Sequence, residues 1–320
     1  MGRRVDAMVT AFVFPGQGSQ APGMGKDLAE KFAAARQVFE EADDALGFAI
    51  SRLCFDGPAE DLQLTENTQP AILTVSVAAF RAMQEAGISS PAFVAGHSLG
   101  EYSALVAGGS LSLSDAVRTV RARGRYMQEA VPVGTGAMAA VLGADLIELG
   151  RVCAEASQDQ VCSIANLNSP GQAVIAGNAE AVDRAVELLS GVAKRVIKLK
   201  VSAPFHSALM KPAQDRLAVD LEALSFNEPA IPVVTNVDAR ATMAPDELRD
   251  ALVRQVSAPV RWVESMQVLI EQGVDTFVEA GPGKVLSGLM RQISRDVKML
   301  NVEDAASLET TKAALAAVIE

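Results

Sequence analysis

The chain is short of cysteine, of positive charge and of long apolar runs, and each shortage removes a class of function. Only three of its 320 residues are cysteine. Cys54, Cys153 and Cys162 form an odd set without metal-ligand spacing, which reads as small core residues kept reduced in a cytosol. Acidic residues outnumber basic ones, 39 to 28, for a formal charge of −11. A general role on nucleic acid or on an anionic membrane is thereby excluded, because phosphates would be repelled, and partners must be met by local patches. No stretch reaches the roughly 20 apolar residues of a membrane span, which predicts a soluble, cytoplasmic protein. Met1-Gly2-Arg3-Arg4 is like the start of a signal peptide, but a short apolar stretch follows and runs into Pro15-Gly16-Gln17-Gly18 without a cleavage-like site. It reads as the approach to a first buried strand. Internal repeats, low-complexity tracts and disordered linkers are missing too.

What is present is apolar and periodic. Hydrophobic residues make up 49% of the chain, enough over this length for one large domain and a smaller one. Ala11 to Phe14 reads as a strand ending in a glycine loop, with helical pattern from Lys26 to Leu46. Thr68-Gln69-Pro70 opens a long apolar helix that Gly87 follows. Ser112-Leu113-Ser114-Asp115 has the form of a capping box for a helix to about Ala130. Between residues 131 and 200 the order becomes β-α-β-β-α-β, with strands at Ala137–Leu142, Val161–Asn166, Ala173–Gly177 and Ala193–Val201. That order predicts a ferredoxin-like domain at 131–200 inserted into a larger α/β domain of 1–130 and 201–320. The larger domain resumes with a helix after Ser207, a strand at Pro232–Asn236, a helix at Asp246–Gln255, a strand at Thr276–Glu279 and a helix at Lys284–Ile293. A strand at Lys298–Val302 and an Ala-rich helix from Ser307 close it.

The chemistry centres on Gly96-His97-Ser98-Leu99-Gly100, a G-x-S-x-G between the apolar run Ala92–Ala95 and the helix-like run Glu101–Ala107. A serine on a sharp strand-to-helix turn adopts a strained backbone and leaves space only for hydrogen two residues either way. The helix behind it aims backbone N–H groups at the reacting centre. Taken alone the pattern is equally a turn without chemistry. Serine needs a base, and the chain has two histidines. His97 adjoins Ser98 on a tight turn and points away, which leaves His206 in Ala203-Pro204-Phe205-His206-Ser207. Acids such as Asp145 and Asp183 belong to the inserted domain, so a dyad without an acid is expected, with a backbone or amide carbonyl holding the imidazole N–H. The N–H of Leu99 and the loop Gly16-Gln17-Gly18 are candidate oxyanion donors. Arg118, Arg121, Arg123 and Arg125 form a basic cluster. One of them, buried beside Ser98, would select an acyl group carrying its own carboxylate, but periodicity does not choose among the four. Gly16-Gln17-Gly18 and Gly283-Lys284 complete neither a dinucleotide fingerprint nor a P-loop.

Phe14-Pro15-Gly16-Gln17-Gly18-Ser19-Gln20, Thr68-Gln69-Pro70-Ala71, Gly96-His97-Ser98-Leu99-Gly100-Glu101-Tyr102, Pro204-Phe205-His206, Thr235-Asn236-Val237 and Glu279-Ala280-Gly281-Pro282-Gly283 occur in order over nearly the whole chain. Together they resemble the malonyl-CoA:acyl carrier protein transacylases of type II fatty-acid synthesis. The resemblance implies a hydrolase-like α/β domain with a ferredoxin-like insert. It also implies Ser98 as nucleophile, His206 as base, and Gln17 and Leu99 as oxyanion donors. Arg123 then grips the malonyl carboxylate, the Gln255 carbonyl orients His206, Asn166 lines the site and Phe205 favours malonyl over branched groups. Malonyl-CoA and acyl carrier protein are the implied partners of a cytoplasmic monomer, with a CoA thioester as substrate and no bound cofactor. Because carrier protein is acidic, Lys194, Arg195, Lys198 and Lys200 are a candidate docking edge, with the three lysines on one face by period-two alternation. The same charges equally suit an edge that repels strand pairing. A serine esterase would share Ser98 and His206, and a non-catalytic carrier-protein-binding module would share the basic edge alone.

Overall fold

The computed structural model describes residues 8–201 and 203–317, so Met1 to Arg4 lie outside the described residues. In chain order its strands are β1 (Thr10–Phe14), β2 (Phe93–Gly96), β3 (Gly136–Leu142), β4 (Cys162–Ser169), β5 (Gln172–Asn178), β6 (Arg195–Lys198), β7 (Val233–Val234), β8 (Ala241–Thr242), β9 (Thr276–Ala280) and β10 (Lys298–Val302). They form two sheets, ordered β10-β9-β1-β2-β7-β8 and β4-β5-β3-β6.

In the larger sheet β10, β9, β1, β2 and β7 run parallel, and β8 is an antiparallel edge. A parallel sheet must be covered on both faces, and β1 shows how its sequence meets that demand. Phe12 and Phe14 enter one apolar core, while Ala11 and Val13 enter another on the opposite face. The carboxyl ends of β1, β2 and β7 deliver Gln17, Ser98 and Asn236 to the same rim, where open α/β sheets bind their ligands.

The smaller sheet is antiparallel throughout. The helices Leu146–Ser157 and Ala179–Leu188 cover one face through Val152, Ala181 and Val182. On the other face, Met138, Val174 and Ala176 pack with Leu199, Val201 and Phe205. Strand β4 fastens this unit to the rest of the chain, because Val260 N–H donates to Ala165 O at 2.9 Å and Leu167 N–H donates to Val260 O at 2.9 Å.

Several local expectations shift. The long helix spans Thr65–Glu85, so Pro70 sits in its second turn rather than near its start. There its missing N–H deprives only the Glu66 carbonyl, and Thr68 Oγ1 braces the first turn on Leu62 O at 2.6 Å. Ser112 accepts from Asp115 N–H as a cap, but the Asp115 carboxylate takes the serine hydroxyl at 2.7 Å instead of completing the box. Strand β6 covers only Arg195–Lys198 of the expected 193–201, and the expected strand 232–236 pairs only at Val233–Val234. A further helix, Trp262–Glu271, follows where no helix is expected from the sequence. Among the described residues no helix is long and apolar enough to cross a membrane.

Candidate active site

The turn after β2 is a steric consequence of its glycines. A Cβ on Gly96 would stand 1.9 Å from the Gly100 carbonyl carbon, and one on Gly100 would stand 2.1 Å from Phe14 O. Backbone meets backbone at both places, so only hydrogen fits. Between them Ser98 has φ 52°, the left-handed region that a non-glycine residue occupies at a cost of about 1–3 kcal/mol. Asn236 holds it there, its Oδ1 accepting from Ser98 N–H at 2.7 Å and its Nδ2 donating to Gly96 O at 2.7 Å. The helix Gly100–Gly108 starts immediately behind, with Leu99 as its N-cap.

His206, also left-handed at φ 58°, brings Nε2 within 2.7 Å of Ser98 Oγ. Its Nδ1 lies 2.9 Å from the main-chain O of Gln255, the last residue of the helix Pro245–Gln255. A carbonyl only accepts, so Nδ1 carries the proton and Nε2 is left bare to receive the serine hydroxyl proton. Burial, and then the nearby Arg123 charge, push the imidazole pKa down to about 3, so at neutral pH the ring is uncharged. His97 is committed elsewhere. Its Nε2 pairs with Asn168 Oδ1 at 2.8 Å, and its ring lies 5.5 Å from that of Trp262.

The four arginines separate by burial. Arg118 pairs with Asp115 at the surface, Arg125 faces Glu129, and Arg121 stacks on Phe48. Arg123 alone turns inward and is 2% exposed. Nη1 donates to Gln69 Oε1 at 2.7 Å, and Nη2 donates to Gln255 Oε1 at 2.8 Å and to Ser98 Oγ at 3.2 Å. All three acceptors are neutral, so the buried guanidinium is oriented without a direct ion pair and can still receive a ligand carboxylate.

These groups open into a cavity of ≈ 250 Å³ that Gln17, Leu99, Asn166, Phe205, Met138 and Leu199 also line. The site therefore brings together Ser98, His206, Gln255, Arg123, Gln17, Leu99, Asn166 and Phe205. The basic edge is not part of it. Register pairs Lys198 with Ala139, which belongs to the helix-covered core, and Lys198 forms an ion pair with Asp183 on that side. The face of β6 that turns toward the cavity instead carries Arg195 and Ile197, because they pair with Leu142 and Ala140. Lys194 and Lys200 lie just outside the strand.

Four residues without an assigned role complete the constellation: Gln69, Glu101, Asn168 and Asn236. Gln69, Glu101 and Asn236 stand in the motifs quoted above, and Asn168 follows Asn166 on β4. Glu101, in GEYSALVAG, is the plainest signal, since a fully buried carboxylate must be held by specific donors.

Residues 11–316 match the model of the acyl transferase domain family. This chain belongs to that family. The malonyl CoA-acyl carrier protein transacylase of Escherichia coli strain K12 is 53% identical over 284 residues, 88% of this chain and 92% of its own. A solved acyl carrier protein S-malonyltransferase from Vibrio cholerae superposes on the acyltransferase with a TM-score of 0.93 at 50% identity, covering 94% of this chain and 99% of its own. The malonyl-transacylase solved in complex with its type II PKS acyl-carrier protein gives a TM-score of 0.92 at 50% identity, over 94% of this chain and 98% of its own.

Proposed function

We propose that this acyltransferase moves a malonyl group from malonyl-CoA to the phosphopantetheine thiol of acyl carrier protein by way of an ester on Ser98. The observation that carries the reading is the Arg123 guanidinium, buried, held by two neutral amide oxygens and 3.2 Å from Ser98 Oγ. A carboxylate placed at the far end of an acyl group on Ser98 is the ligand that such a cation accepts as a bidentate partner.

In the first half-reaction Ser98 Oγ attacks the thioester carbonyl while its proton passes to His206 Nε2. The oxyanion takes N–H donors from Gln17 and Leu99. The C–S bond then breaks, and His206 returns the proton to the CoA sulfur. In the second half-reaction the carrier-protein thiol gives its proton to His206 and its sulfur attacks the ester carbonyl; Ser98 Oγ leaves and is reprotonated. The Gln255 carbonyl keeps the ring in one tautomer through both halves. Arg123 holds the acyl group in register, Asn166 lines its path, and Phe205 limits branching beside the carboxylate. The substrate is the CoA thioester itself. The strand order β4-β5-β3-β6 supports a ferredoxin-like insert at 131–200 within a hydrolase-like domain of 1–130 and 201–320. Three buried thiols without disulfides support a cytoplasmic location. For docking of the acidic carrier protein at this edge, Arg195 is the residue on the cavity side, and Lys194, Lys198 and Lys200 contribute at most at the rim.

Mixing with malonyl-CoA and reading intact mass should reveal a malonyl ester on Ser98 that is absent in Ser98→Ala. Addition of carrier protein should discharge it as malonyl-carrier protein. Rapid release of free malonate without carrier protein would instead make the chain an esterase.

A further inference from the structure

Glu101 is fully buried one helical turn beyond the nucleophile, and the mechanism above gives it nothing to do. Its Oε2 accepts from Asn236 N–H at 3.0 Å and from Gln255 Nε2 at 2.8 Å. The same Gln255 Nε2 donates to Ser98 O at 2.9 Å, and the opposite end of that amide, Oε1, receives Arg123 Nη2 at 2.8 Å. An amide has two ends of opposite hydrogen-bonding sense, and turned over it would point its NH₂ at the guanidinium. Two buried donors would then face each other, and Arg123 would lose one of the two amide acceptors that orient it.

We infer that Glu101 is a positioning residue for substrate selection: its carboxylate accepts from the Gln255 NH₂ and so fixes that amide in the one orientation that presents Oε1 to Arg123. It acts through Gln255, without touching the acyl group. The inference rests on Arg123 being the carboxylate-binding group. Asn236 belongs to the same unit. Its N–H meets Glu101 and its side chain holds Ser98, so one carboxylate ties together the loop after β7, the serine turn and the end of the helix Pro245–Gln255.

The test compares Glu101→Asp and Glu101→Gln in the full-length enzyme, measuring kcat and KM for loading of Ser98 from malonyl-CoA and from acetyl-CoA. Asp keeps the charge but withdraws the acceptor by one carbon–carbon bond, about 1.5 Å. Gln gives up the charge but keeps an acceptor at the original reach. For Glu101→Asp the malonyl KM should rise roughly 10-fold, the size of one lost hydrogen bond to a charged group, with acetyl loading changed far less. Glu101→Gln should recover most of that loss. In an Arg123→Ala background, Glu101→Asp should add nothing further for malonyl. Parallel losses for malonyl and acetyl, a loss in Gln that Asp does not share, or no loss in either would overturn the inference. If Arg123→Ala itself lowers malonyl and acetyl loading equally, the carboxylate reading of Arg123 falls and takes this inference with it. A split for Arg123→Ala with none for Glu101→Asp removes the inference alone.

Discussion

The two walls of the cavity are built on different principles. The wall from the larger sheet supplies Ser98, His206 and Arg123, and both Ser98 and His206 sit in left-handed backbone. The wall from the smaller sheet supplies Met138, Asn166, Asn168, Val174 and Leu199, which are apolar or neutral. The proposed proton transfer and charge recognition thus both fall on the side where three parallel strands end together and buried polar groups lock one another in place. The smaller unit closes the space. Its attachments are neutral as well: the β4 links to Val260, the Asn168 bond to His97, and Ser169 Oγ donating to Gln292 Oε1 at 3.0 Å. Preorganisation is concentrated where charge develops, and shape is delegated to the other wall.

The strongest test of this division removes the base. His206→Ala should lower malonyl loading by about 10⁴-fold or more, the scale seen when one member of a nucleophile–base pair is lost. The same variant carries a pH signature. Because burial holds the folded-state pKa near 3 against an ordinary 6.5, the unfolded chain binds the extra proton first. Wild-type stability therefore falls as pH drops from 6.5 toward 3, and the alanine variant escapes that loss. Between pH 7 and pH 4 the variant should gain about 3 kcal/mol relative to wild type, read from denaturant unfolding. An unchanged difference across this range would mean that His206 is not held neutral.

Arg123→Ala sharpens the comparison at the next level. Malonyl loading should fall about 10²-fold, against less than 10-fold for acetyl, because only malonyl brings a carboxylate to the vacated position. Equal losses would move charge recognition off this wall. The smallest expected effect lies on the far face of the smaller unit. Lys198→Glu should change transfer to carrier protein less than about 2-fold and stability by under about 1 kcal/mol, since it breaks an exposed ion pair with Asp183 on the helix side. A large, salt-dependent loss of transfer would show that the smaller unit does carry charge recognition after all.

Much of the reacting centre was legible before any fold was known. Gly96 and Gly100 are required by backbone contacts that admit no Cβ, so the serine turn leaves a mark in the sequence. His206 emerged by elimination, since one of two histidines was already committed to that turn. The expectation of a dyad without an acid came from the interval between serine and histidine being largely the inserted segment, and His206 Nδ1 indeed meets the Gln255 carbonyl. Other parts were silent. Four arginines at close spacing look alike until the helix Leu113–Glu129 is packed and a single one faces inward. Of the three lysines expected to share a face, only Lys198 lies within β6, and which face of the small sheet the helices cover depends on long-range pairing. Gln69, Glu101 and Asn236 stood in the motifs that carry the resemblance but had no role assigned, because their partners lie 54, 154 and 138 positions away.

By itself, then, the sequence determined the strand-turn-helix at Ser98, the alternation that splits the chain into two kinds of sheet, and the pair of residues able to exchange a proton. These depend on local sterics, periodicity and rarity, all of which act over a few residues or by counting. Local pattern left open which arginine is buried and which carbonyl fixes the His206 tautomer, both named only through the family resemblance, and tertiary structure alone decided which way the Gln255 amide points. Those outcomes depend on desolvation and on hydrogen-bond partners that meet only after the carboxyl ends of β1, β2 and β7 have been brought to one rim.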